Sequence, residues 1–172
     1  NCFKSERCTS ATVTRSITVA VEEVYAPALL HSQPTPLFGR VHDLDLICRR
    51  LVGHQGRLLT LTGAPGVGKT RLALEIAHRL APLYTHGAAF IDLSAVESAA
   101  DVPTTLALAF GLELGRNDAR LQVIAHLRRK QMLIVLDNLE QLLPTAPLVS
   151  ELLAACPGVC ILATSRQRLH LR

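Results

Sequence analysis

The chain has 172 residues, of which 49% are hydrophobic, 19% are charged and only 3% are aromatic, and its net charge is +4. This composition favours one α/β domain with a sizeable core and excludes a disordered chain. The low charge and the few aromatic rings argue against nucleic-acid binding by this segment itself.

Membrane, disulfide-bonded and zinc-binding classes are not expected either. The longest apolar run, 152–163, is shorter than the ~20 residues of a membrane span, and a proline and a glycine interrupt it. The five cysteines have neither zinc-knuckle nor disulfide-framework spacing, so we interpret them as free thiols. The chain begins with Asn1 without a signal-peptide pattern, which favours a fragment, and the free thiols are those expected in a reducing cytoplasm.

The first part of the chain differs from the rest. Residues 1–36 are poorly periodic and end in two prolines, Pro34 and Pro36, which favour an extended backbone. We therefore interpret 1–36 as a linker or N-terminal extension, and 37–172 as the folded domain.

Strands and helices alternate through the folded domain. Leu44, Ile47 and Leu51 recur at helical spacing, and Gly53 ends this first helix. Strands are predicted at 57–62, 88–93, 132–136 and 159–164, and further helices at 69–80, 117–130 and 146–155, with one more that Asp101 caps and that carries Pro103 in its first turn. In helix 117–130, Leu121, Ile124 and Leu127 are expected to face inward. This alternation indicates a parallel sheet covered by helices on both faces.

The most informative stretch is GAPGVGKT, residues 63–70, between a predicted strand and a predicted helix. It matches the phosphate-binding P-loop pattern in full and in the required context. Gly63, Gly66 and Gly68 allow successive backbone N–H groups to surround a phosphate, and the following helix directs its positive end at the same point. The alternative is an ordinary glycine-rich turn between strand and helix.

This pattern assigns roles to its residues. Lys69 is expected to contact the β- and γ-phosphates of a nucleotide, and the Thr70 hydroxyl to ligate Mg²⁺. The residues predicted to bind nucleotide here are Gly63, Ala64, Pro65, Gly66, Val67, Gly68, Lys69, Thr70 and Arg71.

A second magnesium anchor is predicted at the end of the apolar strand 132–136. Asp137 follows this strand and is expected to be the Walker B carboxylate, although turns also favour aspartate at strand ends. The next residue is Asn138, where vigorous ATPases often carry a second carboxylate. Glu140 could take that role, so the general base stays open and slow hydrolysis is expected.

Arg166 is the third candidate, because it closes the last predicted strand. Ligands of parallel sheets gather at the carboxyl ends of the strands, so Arg166 would emerge beside the phosphates and could distinguish ATP from ADP. The alternative is a surface arginine in a basic tail with Arg168 and Arg172.

Five sequence motifs follow one another along the chain. They are PTPLFGR (34–40), LLTLTGAPGVGKTRLALEIA (58–77), AAFIDLS (88–94), LIVLDNLEQLL (133–143) and ILATSRQRL (161–169). The chain thereby resembles, over residues 34–172, the NB-ARC-like nucleotide-binding domain of STAND ATPases, particularly in large bacterial transcriptional regulators.

The resemblance implies a three-layer P-loop NTPase core with the strand order of AAA-like ATPases: 88–93, 132–136, 159–164, 57–62. It places Phe38, Gly39 and Arg40 against adenine and ribose, and makes Lys69, Asp137 and Arg166 the catalytic set. The implied activity is a switch that is closed with ADP, opened by inducer and ATP, and then oligomerised.

Two departures from the family pattern qualify this expectation. Val41-His42-Asp43 follows Arg40, where relatives usually carry acidic residues. The helical lid and winged-helix segments of the family would follow Arg172, so a core truncated before them is expected to bind nucleotide weakly. The implied partners are nucleotide, other domains of a larger chain and a second copy on activation, with no membrane and with DNA only through domains outside this segment.

Two other functions stay open. One is a self-sufficient AAA+ motor or remodeller, against which Asn138 argues, and the other is a regulator that binds DNA by itself. ABC-transporter and GTPase signatures are not found in the sequence.

Overall fold

A computed structural model describes residues 39–52, 56–115, 118–139 and 145–166. The predicted linker 1–36 lies outside the described residues.

Within these residues, helices and strands alternate along the chain. The helices are α1 (Val41–Val52), α2 (Lys69–Leu80), α3 (Val102–Ala109), α4 (Ala119–Leu127) and α5 (Ala146–Ala155). The strands are β1 (Leu58–Thr62), β2 (Ala88–Asp92), β3 (Met132–Asp137) and β4 (Val159–Ser165), and two short 3₁₀ helices occupy Ala81–Leu83 and Ala99–Asp101.

The four strands form one parallel sheet in the order β1-β4-β3-β2. This confirms the predicted α/β P-loop fold. It also confirms that the last strand, β4, lies between the strand before the P-loop (β1) and the strand that ends at Asp137 (β3). Thr62 pairs with Ser165 and Asp92 pairs with Asp137. The carboxyl ends of all four strands therefore lie at one edge of the sheet, where the predicted site residues meet.

Both faces of the sheet are covered. Every residue of β3 and β4 is buried, which explains their continuous apolar sequences. Alternate strand residues such as Ile134 and Ile161 pack with α3, α4 and α5, whereas Val135 and Leu162 pack with α1 and α2 on the other face. The domain is thus a three-layer structure with one apolar cluster on each side of the sheet.

The prediction for α4 was partly wrong. The helix is shorter than 117–130, and Leu121 is 56% exposed, whereas Val123 and Leu127 are fully buried. Each residue turns an α-helix by about 100°, so Leu121 lies roughly 200° from Val123 and faces outward when Val123 faces the core.

The prediction for the start of α3 needs a similar correction. Asp101 occupies the N-cap position, but its side chain makes no capping hydrogen bond. The 3₁₀ turn Ala99–Asp101 precedes the helix, and the Ser98 hydroxyl caps this turn by accepting from the Ala100 N–H at 3.2 Å. The cap therefore serves the turn that leads into α3.

Candidate functional site

The glycine-rich loop joins β1 to α2 and depends on two left-handed backbone positions. Gly66 and Gly68 have φ angles of 77° and 85°, which other L-residues rarely adopt. A Cβ atom built at either position would meet no heavy atom within 4 Å. The left-handed backbone therefore requires glycine at these two positions, and the space beside them is open.

The first turn of α2 faces this loop. Gly68 is the N-cap residue, so no side chain caps the helix, and its carbonyl accepts from the Leu72 N–H at 2.9 Å. The first N–H groups of a helix have no partner within it and carry partial positive charge. With no acidic side chain in this turn, the arrangement suits an anion.

Lys69 lies against the loop that precedes it. Its ammonium group donates to the backbone oxygens of Gly63 and Ala64 at 3.0 and 3.1 Å. The positive charge is thus held at the mouth of the loop, beside the positive end of the helix.

The neighbouring Thr70 reaches the end of β3. Its hydroxyl oxygen lies 2.8 and 3.0 Å from the two carboxylate oxygens of Asp137. Asp137 is only 2% exposed, because it ends a strand that is buried along its whole length. A hydroxyl beside a carboxylate is a pair of hard oxygen donors, the type that Mg²⁺ prefers, so these residues fit that ion.

Asn138 continues from β3 in a left-handed conformation, with a φ of 63°. Its backbone N–H donates to the Thr164 hydroxyl at 3.0 Å, and that hydroxyl donates to Asp137. Its side-chain Nδ2 donates to Asp92 at 3.1 Å and to Asp137 at 3.2 Å. One residue thereby links the ends of β2, β3 and β4.

Asp92 was missed by the sequence analysis, although it ends β2 as Asp137 ends β3. Its carboxylate accepts from the Ser94 N–H at 2.8 Å as well as from Asn138. Burial raises the pKa of Asp92, but the hydrogen bonds from Ser94 and Asn138 lower it, and the net pKa lies below its usual value. The group is therefore charged at neutral pH.

A cavity of about 370 Å³ lies beside the loop. It is lined by Pro65, Gly66, Gly68, Lys69, Thr70, Arg71, Leu74, Asn138 and Arg166. The structure thus brings Arg166, the residue that follows β4, to the same cavity as the P-loop. Glu140, Arg168 and Arg172 lie outside the described residues.

A second cavity, of about 270 Å³, lies between α1, β1 and the loop. Arg40, Val67 and Lys69 are among its lining residues, and the Arg40 guanidinium donates to the Val67 oxygen at 2.8 Å. Gly39 precedes Arg40 with a φ of 76°. The segment before α1 therefore contacts the P-loop, while Phe38 lies outside the described residues.

Two features are absent from the described residues. No helix among them is long and apolar enough to span a membrane. They also contain no cluster of three or more histidine, cysteine, aspartate or glutamate side chains that could hold a metal.

A family model described as an AAA domain matches residues 50–168. The chain belongs to this family. This confirms the P-loop NTPase part of the sequence prediction, while the narrower NB-ARC assignment is not tested by this match.

Relatives of this AAA domain include named regulators. A Mycobacterium tuberculosis H37Rv protein, named as a candidate HTH-type transcriptional regulator, is 48% identical over 122 residues, which cover 68% of this chain and 13% of that protein. The Regulatory protein AfsR of Streptomyces griseus is 30% identical over 155 residues, covering 83% of this chain and 16% of its own length. The chain thus spans less than a fifth of the length of these two relatives.

A solved structure has the same fold. Cdc6p from Pyrobaculum aerophilum aligns with a TM-score of 0.57 and 20% sequence identity, over 84% of this chain and 42% of that one. At this identity the likeness concerns the fold alone.

Proposed function

We propose that this AAA domain binds ATP and ADP with Mg²⁺ and acts as the nucleotide-operated switch of a larger, STAND-type transcriptional regulator with an NB-ARC-like core. One observation carries the proposal: Thr70, in the first turn of the helix that follows the open glycine loop, lies 2.8 Å from the buried carboxylate of Asp137. A glycine turn with a purely structural role does not require this pairing across the sheet.

The proposed roles follow the geometry. The loop 63–68 and the first N–H groups of α2 would bind the phosphates, with Lys69 and Arg71 neutralising their charge. Arg166 would contact the terminal phosphate from the other side of the 370 Å³ cavity, so that it distinguishes ATP from ADP. Phe38, Gly39 and Arg40 would contact the adenosine part, which the contact of Arg40 with Val67 supports.

Mg²⁺ would be held by Thr70 and Asp137, whose oxygens already lie together. When bound, it would neutralise phosphate charge during hydrolysis. Asn138 next to Asp137 is neutral and takes no proton at ordinary pH, so we propose that hydrolysis is slow and serves the switch.

The output of the switch would come from other parts of a longer chain. The named relatives are six to eight times longer than the matched region, since it covers 16% and 13% of them. We propose that 37–172 is the nucleotide-binding unit, that 1–36 links it to what precedes it, and that oligomerisation and DNA binding involve flanking domains in the cytoplasm.

The test is a titration of fluorescent ADP and ATP, with Mg²⁺, into the wild-type chain and into Lys69→Ala. We expect at least a ~100-fold weaker affinity in the variant, or about 2.7 kcal/mol, because the ammonium group at the loop is lost. Thermal unfolding without nucleotide should change little, since the hydrogen bonds of the Lys69 ammonium group go to two carbonyls of the same loop.

Arg129→Ala is the matched control. It removes one positive charge from an exposed residue in the turn before β3, at the opposite edge of the sheet, and should bind nucleotide like the wild type. Equal affinities in wild type and Lys69→Ala would contradict the phosphate site. Release of phosphate near the ~10 s⁻¹ typical of enzymes would instead favour a self-sufficient ATPase.

A further inference from the structure

The side chain of Asn138 has a fixed orientation. Both carboxylates beside it, Asp92 and Asp137, accept hydrogen bonds from its Nδ2. A carboxamide donates through its nitrogen and only accepts through its oxygen, so with the nitrogen on both carboxylates the oxygen must face elsewhere. Since Asn138 lines the cavity that contains Gly66, Thr70 and Arg166, its oxygen is the side-chain atom left to face that cavity.

The backbone around Asn138 supports the same orientation. Its left-handed φ of 63° is tolerated by asparagine but persists only where neighbouring contacts fix it. Here the contact of its N–H with Thr164 fixes the backbone, and the contact with Asp92 fixes the side chain.

A second hydrogen bond, independent of Asn138, holds the Asp92 carboxylate in place. The Ser94 N–H, two residues further along the chain, holds its carboxylate at 2.8 Å. Asp92 also pairs with Asp137 across the sheet. The two carboxylates that accept from Asn138 thus come from neighbouring strands at the same level of the sheet.

We propose that Asp92 is a positioning residue for ATP hydrolysis: it holds the Asn138 carboxamide so that the oxygen accepts a hydrogen bond from the attacking water. This inference rests on the proposed nucleotide site and adds to it a means of orienting water without a second acidic residue after Asp137. It also explains why asparagine can stand at position 138.

The reaction balances without a protein base. The water oxygen forms a bond to the γ-phosphorus, the bond from that phosphorus to the bridging oxygen breaks, and ADP leaves. The water proton passes to an oxygen of the released phosphate, because a neutral amide orients water but does not take its proton. Orientation without a base fits a switch that hydrolyses ATP slowly.

The experiment compares Asp92→Ala, Asp92→Asn and wild type in single-turnover hydrolysis of Mg-ATP, with protein in excess over nucleotide. Loss of a hydrogen-bond partner that orients a side chain of the site lowers activity by about 10- to 100-fold. We expect this loss for Asp92→Ala. Asp92→Asn keeps an oxygen that can accept from Asn138 Nδ2 and should restore most of the rate. The affinity for ADP should be the same in all three.

Asp101→Ala is the matched control, since it removes an exposed carboxylate that does not cap its own helix. A second readout is the side-chain amide signal of Asn138 in ¹⁵N NMR spectra, assigned by its loss in Asn138→Gly. It should move in Asp92→Ala and stay in place in Asp101→Ala.

The outcomes separate this inference from the proposed function. If the wild type binds no nucleotide, both fail. If nucleotide binds and hydrolysis is absent, or proceeds equally fast in Asp92→Ala, the positioning role alone is overturned. A parallel loss of rate, ADP affinity and thermal stability in Asp92→Ala would also overturn it, because Asp92 would then support the fold and not the water.

Discussion

The two ends of the sheet use glycine for opposite reasons. At the amino end, a Cβ at Gly158 would lie 2.5 Å from the backbone oxygen of Lys130 and 3.0 Å from Gln131 Cγ. At the carboxyl end, a Cβ at Gly66 or Gly68 would meet nothing within 4 Å. Close packing requires glycine at Gly158, whereas a left-handed backbone requires it at Gly66 and Gly68, where the loop borders open space.

Polar groups at the two ends differ in the same way. At the amino end they form hydrogen bonds with the backbone of adjacent turns. The Arg57 guanidinium donates to the Cys156 backbone oxygen at 3.0 Å, and the His86 backbone N–H donates to the Gln131 backbone oxygen at 2.9 Å. At the carboxyl end, hydrogen bonds from several elements converge on Asp92 and Asp137. The hydrogen bonds at the amino end hold adjacent turns together. Those at the carboxyl end hold two acidic side chains beside the loop that carries Lys69.

Gly158→Ala should have the largest effect on stability. Overpacking of this kind costs about 1–3 kcal/mol, and we expect the upper part of that range because the nearest neighbour is backbone, which cannot swing aside. Urea unfolding followed by circular dichroism measures this loss. Nucleotide affinity, measured where the variant is folded, should be unchanged, because Gly158 lies at the opposite edge from the loop.

Gly115→Ala is the control for this substitution. Gly115 is exposed, its φ is not left-handed, and a Cβ there would meet nothing within 4 Å, so the change should stay within about 0.5 kcal/mol. Equal stability losses at Gly158 and Gly115 would show that the close approach at the amino end is not what requires glycine.

The sequence predicted the loop and the carboxylate after strand 132–136 from local patterns, namely a glycine motif and an apolar run followed by an aspartate. It predicted the order of the strands from the family resemblance. It did not predict the role of Asp92, which depends on the lateral pairing of β2 with β3. The left-handed turn at Asn138 and the outward face of Leu121 depend likewise on packing between elements. Local patterns identify elements, and contacts between elements decide which side chains meet.

Gly68→Ala should have a smaller effect on stability than Gly158→Ala but a specific effect on binding. A left-handed φ of 85° costs an alanine about 1–2 kcal/mol. Distortion of the loop should also weaken ADP affinity by about tenfold or more, equivalent to about 1.4 kcal/mol. Thermal unfolding and nucleotide titration on the same preparation measure the two effects.

Gly87→Ala offers a matched comparison at the amino end. Gly87 precedes β2 with a φ of 70°, and its Cβ would also meet nothing within 4 Å. It should lose a similar amount of stability while binding ADP normally. Weaker binding in both variants would mean that affinity follows general stability and that the loop has no special part in it.

The smallest expected effect concerns the charge of Asp92, whose pKa is below its usual value because the hydrogen bonds from Ser94 and Asn138 outweigh the effect of burial. A lowered pKa in the folded state stabilises the fold above the unfolded value of about 3.9, and this contribution disappears as the pH falls through the folded pKa. Asp92 is exposed, so water screens its interactions and we expect about 0.5 kcal/mol or less. Urea unfolding from pH 7 to pH 3 should therefore give wild type a constant advantage over Asp92→Asn above about pH 4 that shrinks below it. A difference that stays the same down to pH 3 would mean that the charge of Asp92 does not contribute to the stability of the fold.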